Sequence, residues 1–224
     1  YFARQQRWFP AAAAGLLAAA TRNLGVLLWA LVLWEWLRFH GWNLEKIHHR
    51  ATWRNLGIGM KSHWYELVVI SVIPVGLLLY MAFLQMNFAR PLAFVEVQAA
   101  WGRQNIGPVA VVIREMKALA TFTITKGNLS RLLNLSTFLT SLALVPFIWR
   151  RLGAGYALYT LVFLLLPAAS GLQSMIRYVL PLFPMFILLG TWGRHSSVDR
   201  VLLATFSVLL GLMTTIFANW VFIA

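Results

Sequence analysis

The stretch Leu165 to Pro184 reads LLPAASGLQSMIRYVLPLFP and places one cation, Arg177, between two apolar runs, Tyr156–Ala169 and Val179–Trp192. No other charged residue lies between Arg151 and Arg194. An arginine between membrane-crossing runs costs roughly 2.5–3.5 kcal/mol at mid-bilayer on insertion scales, so its presence asks for a partner. Its planar fork, with the neutral donors of Gln173 and Ser174 one helical turn away and Tyr178 directly after it, suits bidentate capture of a phosphate. Arg177 reaching to a lipid headgroup would satisfy the charge equally well.

A second such constellation is PLAFVEVQAAWGR at Pro91–Arg103. Read as a helix, it lays Leu92, Phe94 or Val95, and Ala99 on a membrane surface and turns Glu96, Gln98 and Arg103 to other faces. Trp101 and Arg103 then offer a ring for a sugar face and a cation for a phosphate, unless the helix is a plain interfacial anchor. A third lone cation, Arg22, interrupts the apolar block Pro10–Leu37. Transfer of a sugar with inversion also needs a carboxylate base. Glu96 and Glu115 lie among basic residues and read as ion-pair members, while Glu35 and Glu66 sit near the ends of apolar runs and read as interfacial. His48-His49 is no metal site on this pattern, because adjacent helical residues face apart and the chain has no Cys. Neither a metal nor a cofactor is expected.

The elements that must position these groups are membrane helices. The 224 residues are 60% hydrophobic and 11% charged, with 11 Trp and a mean hydropathy of +0.72. These runs predict an all-α polytopic transmembrane protein, because they are too long and unbroken for barrel strands. The net charge of +13 falls between the apolar runs, where it sets topology and meets anionic lipid; nucleic acid is not expected as a partner. Pro10–Leu37 is either one tilted span with a buried arginine or a hairpin of half-helices meeting at Thr21–Gly25; basic flanks on both sides favour the hairpin. Arg38–Ser62 reads as a cytoplasmic loop, with Trp42, Trp53 and Trp64 as headgroup anchors. Spans are expected near 64–86, 129–149, 153–170, 178–193 and 201–223, in a single membrane domain over 1–224, with 87–128 an amphipathic extracytoplasmic segment. The chain opens on Tyr1 without a signal-peptide pattern, and Phe2–Trp8 reads as the basic end of a preceding helix, so residues are expected upstream.

The order GLLAAATRNLG, MNFARPLAFVEVQAAWGR, GYALYTLVFLLLPAASGLQSMIRYVLPLFPMFILLG and a tail ending FANWVFIA resembles the bacterial members of the glycosylphosphatidylinositol mannosyltransferase II family, over nearly the whole chain. PLAFVEVQAAWGR and SGLQSMIRY are the most specific pieces. The resemblance implies a GT-C class fold and an inverting transferase that takes a hexose, typically mannose, from a polyprenyl-phosphate donor on the extracytoplasmic side of a bacterial cytoplasmic membrane. Two departures stand out. Ala89-Arg90 replaces the Gly-Asp expected before PLAF, and the family's catalytic acid belongs to an outer loop upstream of Tyr1, so this chain is expected to be the C-terminal part of such an enzyme and inactive alone. The rival expectations are a non-catalytic membrane subunit and a carrier for an anionic substrate.

Overall fold

The computed structural model describes residues 1–42, 50–100, 102–120 and 126–219, and these are mostly helical, with no strand among them. They belong to two compact units, Tyr1–Trp101 and Gly102–Ala224.

The first unit is built around α1 (Trp8–Thr21), where a run of Ala supplies the highest helix propensity and Pro10 occupies the first turn. Arg22 ends it in an extended conformation, φ −143° and ψ 128°, and a 3₁₀ turn (Asn23–Val26) leads into α2 (Leu27–Phe39). With 14 and 13 residues, the two helices are about 21 and 20 Å long, shorter than a hydrocarbon core of roughly 30 Å. They double back on each other: the ring of Trp8 at the start of α1 lies 6.5 Å from that of Phe39 at the end of α2. The apolar block is therefore a hairpin with Arg22, which is exposed, in its bend.

After α3 (Arg50–Ser62) come α4 (Trp64–Ile70) and α5 (Val75–Phe88), bent by 41° where the sequence suggests one span over 64–86. Pro74 accounts for the break, since it has no amide hydrogen to give to the carbonyl one turn back. α1 packs against α5 and α4, and the contact is close because both sides are small. A Cβ on Gly76 of α5 would overlap the Leu16 carbonyl oxygen, and one on Gly15 would press on Ile73 at 2.8 Å. Trp8, Ala12, Ala19, Val32, Trp36, Ile70 and Ile73 form the core. α6 (Ala93–Ala100) closes the unit, with Leu92 and Val95 exposed and Phe94 packed 5.9 Å from Tyr80.

The second unit begins with α7 (Pro108–Ala120) and is laid along α8 (Lys126–Leu152), 27 residues or about 40 Å long. Leu135, Phe138, Ser141 and Ile148 recur at helical spacing on the buried face of α8. α9 (Ala154–Ala168), α10 (Met175–Val179) and α11 (Phe183–Trp192) all pack against it. α9 and α11, 15 and 10 residues long, would rise only about 22 and 15 Å, so neither is by itself the full crossing suggested for 153–170 and 178–193. Pro181 and Pro184 fix the late start of α11: Pro181 has no amide hydrogen to continue α10 into it, and Pro184 sits in the first turn of α11, where no donor is needed. α12 (Ser196–Ala218) stands almost alone: 6% of its most apolar window is buried.

Among the described residues two helices, within Gly127–Leu152 and Ser196–Ala218, are long and apolar enough to cross a membrane, and a third crossing results if α4 and α5 form one bent span. The chain is an all-α protein with the helices of a membrane protein.

Candidate anion site

The second unit brings together most of the residues singled out in the sequence. The loop after α9 is pinned first: the Ala169 carbonyl accepts hydrogen bonds from the Ile106 and Gly107 amides at 3.1 and 3.0 Å. That anchors the segment carrying Arg103 beside the bridge Ser170–Ser174. Arg103 then donates through Nη2 to the Gln173 carbonyl at 2.8 Å and through Nη1 to the Tyr178 hydroxyl at 3.4 Å. Its guanidinium carbon also lies 5.7 Å from the centre of the Tyr178 ring, within cation–π range. The final residue of the first motif thus holds the backbone and the tyrosine of the second.

The local backbone differs from the expected arrangement in one respect. Gln173 and Ser174 do not lie on one helix with Arg177, because α10 begins only at Met175. Ser174 is buried and left-handed, φ 66°, a conformation rare for a residue with a Cβ. Its carbonyl accepts the Arg177 and Tyr178 amides at 3.0 and 3.2 Å and so starts the helix that carries them. The exposed side chains of Gln173 and Arg177 are therefore presented from a turn and a single helical turn, respectively.

Two further cations border the bridge. Arg114 Nη2 lies 3.9 Å from where a side chain on Gly171 would begin. Arg114 and Arg131 both face Glu115, at 3.2 and 3.6 Å, so the one carboxylate there is countered twice. One turn beyond Arg131, Asn134 is buried; its Oδ1 accepts the Ile176 amide at 3.4 Å, while its Nδ2 donates to the Ser130 carbonyl at 2.9 Å. Asn134 is a positioning residue for α10 that sequence reasoning missed; a polar residue on the buried face of α8, which it shares with Ser141, was the available signal. Arg114 and Arg131 thus face one carboxylate, Arg103 holds the bridge, and Arg177 is carried on α10 next to Tyr178. The arrangement is suited to binding an anion, and its one carboxylate, Glu115, is engaged by arginines.

Of the remaining candidates, Arg22 and Gln98 belong to the first unit, and Trp101 and the pair His48-His49 lie outside the described residues. The Gln98 amide donates to the Phe94 carbonyl of its own helix at 3.3 Å. Glu96 is 3.7 Å from Arg90, an exposed ion pair.

The first unit also contains a polar cluster that the sequence did not reveal. Glu66, which its place in the sequence suggested to be interfacial, is buried. It accepts from the Trp36 indole at 2.7 Å and the Tyr65 hydroxyl at 3.2 Å. His40 Nε2 stands 3.9 Å from the same carboxylate, while His40 Nδ1 is 3.0 Å from the Trp36 carbonyl. The ring of His63 lies 4.8 Å from that of His40. Among the described residues no three His, Asp or Glu side chains are arranged to hold a metal.

Comparisons of the chain with protein-family models, with curated proteins and with solved structures return no match.

Proposed function

We propose that the chain is the C-terminal part of a GT-C-like membrane glycosyltransferase, and that its second unit grips the phosphate of a polyprenyl-phosphate sugar, with mannose the favoured hexose. The observation that carries the proposal is the tie from Arg103 to Gln173 and Tyr178, which joins the two motifs of the family resemblance in one cationic patch beside Arg177. A departing lipid phosphate gains charge as the sugar leaves, and fixed guanidinium groups stabilise that charge. Glu115 and Glu96 are engaged by arginines, so the base that removes the acceptor's proton is assigned to neither. The site would face the extracytoplasmic side of a bacterial membrane, as the basic loops suggest.

The test is the complete protein in sealed vesicles of known orientation, supplied with polyprenyl-phosphate mannose and the Arg177→Lys variant. A bidentate clamp needs the fork, so Lys should lower kcat/KM about tenfold or more, roughly 1.4 kcal/mol of transition-state stabilisation. Full activity of the variant, or transfer confined to donor on the cytoplasmic side, would overturn the proposal. A carrier for an anionic substrate is the second reading, favoured by the 41° break between α4 and α5; it would show uptake of the anion without transfer of sugar.

A further inference from the structure

At the end of the first unit's hairpin where Trp8 meets Phe39, a cavity of about 170 Å³ is lined by Ala3, Arg4, Gln6, Glu35, Arg38 and Phe39. Its chemistry is mixed, with two guanidinium groups and a carboxylate. Glu35 is the unusual member. Its side chain is only 10% exposed, and its Oε1 has no hydrogen-bond partner among the described residues. The Nη1 of Arg38, at 3.7 Å, is near enough for charge attraction but too far for a hydrogen bond. A buried carboxylate oxygen without a donor is costly, and a ligand that brings a donor removes that cost.

We propose that this cavity is a binding site for the headgroup of phosphatidylethanolamine. The ammonium group would donate to Glu35 Oε1, and the phosphate would lie between Arg38 and Arg4, where the guanidinium fork matches its oxygens. The surroundings favour a lipid over a soluble phosphate. The cavity opens at one end of an apolar hairpin, beside Phe39, which is 51% exposed, and Phe9, which follows Trp8 at the start of α1, is 77% exposed; acyl chains have apolar surface to follow from there. Arg7 and Trp42 lie at the same end of the hairpin, in the mixture of cations and aromatic rings that meets lipid headgroups. The proposed site is distinct from the anion site of the second unit, and its test does not depend on sugar transfer.

The experiment is native mass spectrometry of the complete protein in detergent, offered equimolar dioleoyl phosphatidylethanolamine and dioleoyl phosphatidylcholine. The two lipids differ at the nitrogen: a quaternary ammonium has no N–H to give to Glu35. Retention of phosphatidylethanolamine should exceed that of phosphatidylcholine about tenfold, the scale of one charge-assisted hydrogen bond. Glu35→Gln should abolish the preference while leaving total phospholipid retained, and Arg38→Gln, at a side chain 48% exposed, should lower retention of both lipids. Equal retention by the wild-type protein would overturn the proposal without recourse to any variant, as would an unchanged preference in a folded Glu35→Gln protein. Displacement of the lipid by millimolar free O-phosphoethanolamine would overturn the choice of a lipid as occupant.

Discussion

Glu66 in the first unit receives hydrogen bonds from two neutral side chains, with His40 Nε2 3.9 Å away, whereas Glu115 in the second is faced by two arginines. Glu66 is buried and receives neutral donors, the Trp36 indole and the Tyr65 hydroxyl. Glu115 meets two arginines whose side chains are 47% and 50% exposed. Neutral dipoles solvate a buried charge without adding one of their own, so the Glu66 cluster acts as a structural pin. Exposed arginines are screened by water and salt, contribute little to stability and leave a surplus of positive charge. The difference separates a region built to keep α2 and α4 together from one with charge to offer an anion.

The strongest way to break the comparison is Trp36→Phe, which keeps most of the ring and removes the 2.7 Å donor. Loss of a hydrogen bond to a buried carboxylate should destabilise the first unit by about 2–3 kcal/mol, read as a lower unfolding midpoint in detergent. Adding Glu66→Gln should return part of the loss, because the charge left short of donors is gone. A loss that is the same with and without Glu66→Gln would show that Trp36 acts by packing alone.

A smaller effect is expected at Arg103. Arg103→Lys keeps the charge but cannot hold the Gln173 carbonyl and the Tyr178 hydroxyl as one fork. Amide hydrogen exchange over 171–176 should rise about five- to tenfold, roughly 1–1.4 kcal/mol of local stability, with the amides of α8 unchanged. The smallest change belongs to Arg131→Gln, which removes one exposed partner of Glu115 and should shift stability by no more than about 0.5 kcal/mol. A shift as large as that of Trp36→Phe would erase the distinction between the two carboxylates.

Composition made the helical membrane class legible, and the basic flanks favoured doubling back at Arg22. These are signals carried by neighbouring residues. The bend between α4 and α5 also had a local cause in Pro74, though unbroken hydropathy over 64–86 concealed it. The bond between Trp36 and Glu66 was beyond reach, since 30 residues separate them and periodicity does not say which helix faces which. In the anion site, the sequence selected Arg103, Gln173, Arg177 and Tyr178 by type and spacing. The backbone that unites them, with Ser174 at φ 66° and the Ala169 carbonyl held by two amides, depends on a left-handed residue with no glycine to announce it.

The contact between α1 and α5 has a consequence for assembly. Inside a bilayer, lipid tails are as apolar as leucine, so two helices gain little by merely hiding from solvent, and the entropy they surrender on docking weighs heavily. Buried Leu or Met side chains give up roughly 0.5–2 kcal/mol of rotamer freedom each, whereas Ala and Gly have none to give. The face that α1 turns to its neighbours includes Ala11, Ala12, Gly15 and Ala19. Docking of the hairpin onto α5 is therefore nearly free of side-chain ordering, and α1 can join a partner helix already in place without that helix having to repack.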